Sequence, residues 1–322
     1  MIIKVSRCLA AAILALALTA QARADDYPSR PIRLIVGFSA GSAGDVIARI
    51  LATKMSPTLG QPIVVEDKPG ASSNIALDTV ARAPKDGYTL LLGTVANATY
   101  AAVTPDRKYD ISKDFTSIGL AAAMPVLLVV TPSLGVHSVP ELIANAKANP
   151  KKVMFASTGF ATTPYFAGEL LNTLAHIEMT HVPYQGSPPA MSDLLSGRVQ
   201  VMFGSGSTVL PLVRSGKLVA LASATAKRAA AAPDLPTMGE LGMPQIDATL
   251  WFGIVAPAGT PADINKKLAA ALKTALASEE VRDSFQKQGV ETMSSTPKEF
   301  DTYLKLQVEK WTAVAKSAGV VK

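Results

Sequence analysis

The chain has 322 residues, 48% of them hydrophobic and 17% charged, with 31 Lys and Arg against 25 Asp and Glu for a formal net charge of +6. So mild a basic excess, with no cationic run, argues against nucleic acid as a partner. A single Cys rules out a disulfide framework, and a chain of this length favours two domains with enough buried apolar area to fold without cross-links.

Residues 1–24 read as an export signal. Lys4 and Arg7 make a basic start, Leu9–Ala20 is apolar apart from Thr19, and Ala22-Arg23-Ala24 supplies the small-x-small pattern for cleavage after Ala24. The apolar run is shorter than the roughly 20 residues that span a bilayer. Cys8 precedes that run and would leave with it. Without Lys4, Arg7 and Arg23 the basic count falls from 31 to 28 against 25 acids, a net charge of +3. The expected product is a soluble exported protein that starts at Asp25 and has no Cys.

From there, short β-branched runs alternate with helical patterns. Strands are expected at Ile32–Phe38, Ile63–Glu66, Thr89–Gly93, Val126–Thr131, Val153–Ser157, Ile177–Val182, Val199–Phe203, Leu218–Ser223 and Trp251–Ala256. Ile47, Ile50, Leu51 and Met55 share one helix face, and Gly60 is a stop signal. Ser138-Val-Pro-Glu141 reads as a capping box. Thr260-Pro261-Ala-Asp263 is similar, and opens a helix to about Ala277. The alternation predicts an α/β fold of mainly parallel sheets flanked by helices. Apolar runs at Met124–Val130 and Thr249–Ala256 bracket several strand–helix units. The expected division is therefore 25–125 with 249–322 in one lobe and 126–248 in the other, with a hinge of crossover strands and a cleft. A single continuous domain would alternate in the same way.

Four loops stand out for their lack of reactive side chains. Phe38-Ser39-Ala40-Gly41-Ser42-Ala-Gly-Asp45 follows a strand and opens a helix. The first N–H groups of a helix have no intrahelical partner and carry the positive end of its dipole, so a carboxylate or phosphate can sit on them. Ser157-Thr158-Gly159-Phe-Ala161-Thr162-Thr163-Pro164 and Gly204-Ser205-Gly-Ser-Thr208 have the same grammar, and Gly93-Thr94-Val-Ala-Asn97 is a fourth case. At the carboxyl edge of parallel strands, such loops bind ligands; ordinary turns would read alike.

Other chemistries fit poorly. Gly37, Gly41 and Gly44 are not spaced as a dinucleotide fingerprint, and no P-loop motif occurs. Ala40-Gly-Ser42-Ala-Gly44 is one substitution from the G-x-S-x-G elbow of a secreted serine hydrolase with Ser42 as nucleophile, but no His follows His181. His137, His176 and His181 read as surface or packing residues, and no carboxylate cluster has metal-ligand spacing. Trp251-Phe252 is expected to pack beneath the cleft. No catalytic residue, metal or cofactor is expected.

Several ordered segments carry a family resemblance: Tyr27-Pro-Ser-Arg-Pro-Ile-Arg33, Phe38–Asp45, Asp86-Gly-Tyr-Thr-Leu-Leu-Leu-Gly93, His181-Val-Pro-Tyr-Gln-Gly-Ser187, Asp193-Leu-Leu-Ser-Gly197 and Trp251–Pro261. From Tyr27 to Gly319 the chain resembles the Bug or TctC family, the extracytoplasmic solute receptors of tripartite tricarboxylate transporters. The resemblance implies a monomeric, two-lobed periplasmic receptor of type II-like fold, not an enzyme. It would hold a small di-, tri- or aromatic carboxylate through backbone N–H groups and ordered water, and its partners would be membrane permease subunits. Presentation of ligand to a membrane sensor is the alternative.

By position, the resemblance carries the first-lobe site onto Phe38–Asp45 and the second-lobe site onto Ser157–Thr163. Thr94, Asn97, Tyr165, Tyr184, Gly204 and Ser205 complete the expected set. Ser39, Ser42, Ala161 and Tyr165 depart from the residues usual there. Gly204 stands where Asp is common, and is expected to remove a charge and free space at the cleft.

Overall fold

A computed structural model describes residues 27–104, 106–160, 162–184, 186–317 and Val320. The expected signal segment, its cleavage after Ala24 and site residue Ala161 lie outside the described residues. No described helix is long and apolar enough to cross a membrane.

Two sheets organise the chain. The first has the order β11-β4-β10-β3-β1-β2, from β1 (Ile32–Val36), β2 (Ile63–Asp67), β3 (Thr89–Thr94), β4 (Phe115–Met124), β10 (Leu250–Pro257) and β11 (Glu291–Thr292). The second has the order β7-β6-β8-β5-β9, from β5 (Val126–Val130), β6 (Met154–Ser157), β7 (Thr180–Pro183), β8 (Val201–Ser205) and β9 (Val219–Ser223). Every residue of β3 and β5 is buried. Helices cover both faces, so these strands read as continuous apolar runs, not as alternating ones.

The sheets are mixed where mainly parallel ones are expected. β1, β2 and β3 pair in parallel, while β10 runs against both β3 and β4. β6 pairs in parallel with β7 and β8, while β5 runs against β8 and β9. Two strands escape the periodicity reading. β4, FTSIGLAAAM, is rich in residues of low strand propensity and takes its conformation from pairing with β10. β11 has only two residues.

The reversed strands set the geometry between the sheets. β4 ends at Met124, which pairs with Leu250 at the start of β10, beside the carboxyl end of β3. β5 starts at Val126, paired with Ser205 at the carboxyl end of β8. Both crossings therefore join the carboxyl edge of one sheet to the carboxyl edge of the other. Main-chain bonds pin the passages: Gly206 N–H to Pro125 O, Ala224 N–H to Val126 O and Ala248 N–H to Ala224 O, each 2.8 Å.

The helices follow their sequence signals. α1 (Ala43–Leu59) buries Ile47, Leu51 and Met55 and stops at Gly60, whose φ of 72° suits glycine. α2 (Asn74–Ala81) and α3 (Val95–Val103) complete the first βα units. α4 (Val139–Ala148) is capped by Ser138, while Glu141 reaches back to the His137 N–H at 2.7 Å. α5 (Thr163–Ala175), α6 (Ser187–Leu195) and α7 (Gly206–Arg214) follow β6, β7 and β8. α8 (Ala262–Ala277) ends where expected, but its cap differs: the Thr260 hydroxyl donates to Pro257 O at 2.8 Å and Pro261 takes the N-cap position. α9 (Glu279–Lys287) precedes β11, and α10 (Pro297–Ser317) closes the fold.

α10 ties both sheets together. Phe300 and Leu304 bury against Trp251 of β10 in one core cluster, where Trp311 meets Phe166 of α5 at 5.6 Å. Gln307 Oε1 accepts both indole N–H groups, from Trp251 at 3.1 Å and Trp311 at 3.2 Å. Lys310 Nζ donates to the Asp247 carbonyl at 2.8 Å and carboxylate at 2.9 Å, beside the return crossing. Burial pushes the Asp247 carboxyl up, but Lys310 and the Thr249 hydrogen bonds outweigh it and hold the group below its ordinary value.

A depressed folded-state pKa contributes stability above the unfolded value and loses it as pH falls through the folded one. Lys310→Met is expected to cost about 1–2 kcal/mol at pH 7, a charged hydrogen bond discounted for partial exposure. Thermal melts should show that penalty shrinking under acid, once Asp247 is protonated in both states.

Candidate functional site

The first expected loop lies at the carboxyl end of β1, and its polar side chains are spent on the loop itself. The Ser42 hydroxyl accepts the Asp45 N–H at 3.3 Å, and Asp45 accepts the Gly41 N–H at 2.8 Å. Arg49 pairs with the buried Asp45 at 2.6 Å and with Asp67 at 3.2 Å. Burial, then the Asp45 charge, raises the Asp67 carboxyl above its ordinary value. Ser42 N–H goes to Ser39 O at 3.1 Å. Ser39, Ala40 and Gly41 are exposed, and Phe38 is half-buried against the first core. The Ala43 and Gly44 N–H groups begin α1 with no hydrogen bond among the described residues.

Thr94 and Asn97 stand at the end of β3. Asn97 Oδ1 accepts the Thr94 N–H at 3.0 Å, and its Nδ2 reaches Ser73 O at 3.4 Å. The Thr94 hydroxyl is buried with no hydrogen bond among the described residues. Asn97 thus links β3 to a turn that sequence reasoning missed, Gly70–Asn74 at the end of β2. Ala71, Ser72 and Ser73 all have positive φ, at 45°, 50° and 73°. Asn74 Nδ2 donates to Ala71 O at 2.6 Å and Ser72 O at 3.1 Å. Asn74 Oδ1 and Ser73 Oγ are buried with no hydrogen bond among the described residues. Ser73 fills the space beside Gly37, where a Cβ would lie 1.9 Å from Ser73 Oγ. The signal was legible: Pro69-Gly70 after a strand and before an apolar-periodic run has the grammar of the other four loops.

On the second sheet, Ser157 ends β6. Its hydroxyl lies 2.7 Å from His181 Nε2 and 2.9 Å from Gly159 O, and Thr162 also donates to Gly159 O at 2.7 Å. Burial pushes the His181 pKa below its ordinary value. Ser157 is fully buried, and no carboxylate bonds His181 among the described residues, so this pair is not a triad. Ser42, the nucleophile of the hydrolase reading, serves as a helix cap. Thr158 is half-buried in the loop. Thr163 and Tyr165 supply first-turn N–H groups of α5 that lack a hydrogen bond among the described residues; Pro164 has none to give.

Tyr165 is buried beside His181 at 4.8 Å and Phe160 at 4.8 Å between ring centroids. Tyr184 points away from these groups, donating to Asp193 at 2.8 Å; burial and then Asp193 push its phenol up to about 12. Ser205 caps α7, its hydroxyl held by Thr208 at 2.8 Å, and the Gly206 N–H is taken by Pro125 O.

Gly204 corrects its expectation. It is a buried residue of β8, and a Cβ there would lie 2.4 Å from Val209 Cγ1. The missing side chain makes room for α7 packing, not for cleft space.

Residues 47–320 match the family model of the tripartite tricarboxylate transporter family receptor, TctC. The chain belongs to that family. BugT of Bordetella pertussis is 35% identical over 304 residues, covering 94% of this chain and 93% of that protein. The solved structure of Rpa4515 from R. palustris with adipate is 35% identical, with a TM-score of 0.84 over 91% of this chain and 99% of that one. MatC (Rpa3494) from Rhodopseudomonas palustris with bound malate is 32% identical, with a TM-score of 0.81 over 89% and 99%. The TctC chain is thus a solute-binding receptor by family and by fold.

Two substitutions separate strain from packing in this TctC receptor. Ser72→Gly should relieve left-handed strain and stabilise by about 0.5–1 kcal/mol net of the unfolded-state entropy that glycine adds. Gly204→Asp should lower the melting temperature without any ligand present, because the new side chain meets Val209; overpacking alone costs about 1–3 kcal/mol.

Proposed function

We propose that this receptor captures a small carboxylate between two lobes, 25–125 with 249–322 and 126–248, and delivers it to the membrane permease subunits of a tripartite tricarboxylate transporter. It works in the periplasm, after export and removal of residues 1–24. The observation that carries the reading is that the chain crossings join carboxyl edge to carboxyl edge, where helices start with N–H groups that have no hydrogen bond among the described residues: Ala43 and Gly44 on one side, Thr163 and Tyr165 on the other. The adipate and malate in the two R. palustris relatives support an acidic ligand.

None of the loop segments 38–45, 94–97, 157–163 or 204–208 contains Lys or Arg. Affinity then rests on several amide donors, each worth about 1.5–3 kcal/mol as a hydrogen bond to a charged group. The first-docking lobe offers only half of them. Closure adds the rest, and its driving force is the difference in contact between open and closed forms.

Proline tests the amides without disturbing the helix. Ala43 is the first residue of α1, where proline is well tolerated, and Ser42 before it is already extended, with ψ of 161°. Ala43→Pro removes one N–H and is expected to weaken carboxylate binding by about 10- to 100-fold in calorimetry, with an unchanged melting temperature for the free protein. Unchanged affinity, or no binding of any mono-, di- or tricarboxylate by the parent protein, would sink the reading.

A further inference from the structure

Phe160 is the most exposed large apolar side chain among the described residues, at 60% exposure, and it sits within the β6–α5 loop. Its ring rests on Tyr165 at 4.8 Å and a tilt of 41°. The ladder continues inward from Tyr165 to His181 at 4.8 Å and from His181 to Phe155 at 5.0 Å. Phe155 is fully buried. Of the four residues, only Phe160 is exposed.

Its surroundings point to a ligand. Tyr165, the ring on which Phe160 rests, belongs to the core cluster that includes Val95 and Ala98 of α3 and Trp311 of α10, elements of the first sheet's side. The Tyr165 hydroxyl makes no hydrogen bond among the described residues, and burial followed by the Glu169 charge raises its pKa, so it stays a neutral donor. Gly159 before it has a φ of 137°, a conformation that lets the chain turn Phe160 outward. A lone exposed apolar residue is ordinary on a protein surface. One that ends a stack of aromatic rings, near helix-start amides with no hydrogen bond among the described residues, is not.

We infer that Phe160 and Tyr165 form an aromatic clamp that selects a carboxylate bearing a flat ring, stacked on Phe160 while its carboxylate lies on the helix-start amides. The inference rests on the carboxylate reading above and narrows its ligand class. Offset stacking adds binding beyond area burial, on the order of tenfold for a well-placed pair, and fixes the ring plane as methylene chains cannot.

Benzene-1,4-dicarboxylate and adipate, matched in charge and similar in span, separate the terms. Calorimetry on the mature protein should give the aromatic acid about tenfold tighter binding. Phe160→Ala and Phe160→Leu should each bring the two ligands within about twofold, the aromatic acid losing more affinity than adipate. Leucine keeps apolar bulk but no ring, so its failure to retain the preference identifies stacking. The clamp is overturned if the parent protein shows no aromatic preference, if Phe160→Leu keeps it, or if Phe160→Ala weakens both ligands equally. Binding of adipate but not of the aromatic acid overturns the clamp alone. Binding of no carboxylate overturns the clamp and the receptor's proposed ligand together.

Discussion

The direction of two strands governs this molecule. β5 and β10 are the strands by which the chain enters the second sheet and returns to the first, and each runs against its neighbours. Had either been parallel, one crossing would have entered from the amino edge. The loops after β1, β2 and β3 would then face solvent, not the loops after β6, β7 and β8. Two antiparallel insertions turn a pair of ordinary α/β sheets into opposing surfaces.

Those surfaces are made of backbone. Several of their polar side chains are committed to local structure: Ser42 and Asp45 to the start of α1, Asn97 to β3 and the Gly70–Asn74 turn, Ser157 and Thr162 to Gly159, Ser205 to Thr208. Side chains hold amides in place and leave other amides open. Preorganised donors cost little to align when a ligand arrives. The strain of three consecutive left-handed residues at Ala71–Ser73 lies in the same region, where a fold can carry it because packing against Gly37 and Asn97 determines the turn.

α10 sets how firmly the two halves are joined. Its Gln307 bridges two buried indoles, and its Lys310 grips Asp247 near the return crossing. Most of its contact lies on the first sheet, and it reaches the second through Trp311 on Phe166, Val314 on the second core and Lys310 on Asp247.

Much of this was legible in the chain itself. Apolar and β-branched runs marked nine of the eleven described strands, and Gly60 and Ser138 marked helix ends because caps are local chemistry. The family followed from ordered motifs. What local chemistry could not supply was pairing: β4 is strand because β10 lies beside it, and the sheets are mixed because the chain returns. The Gly70–Asn74 turn went unread although its pattern matched the other loops, and Gly204 was assigned to the cleft because spacing along a strand says nothing of which neighbour fills the space. The sequence alone determined the alternating elements, the apolar cores and the side-chain-poor loops, since these depend on residues near each other in the chain. Tertiary structure decided which amides stay unpartnered and which rings stack, because both depend on groups brought together from distant segments.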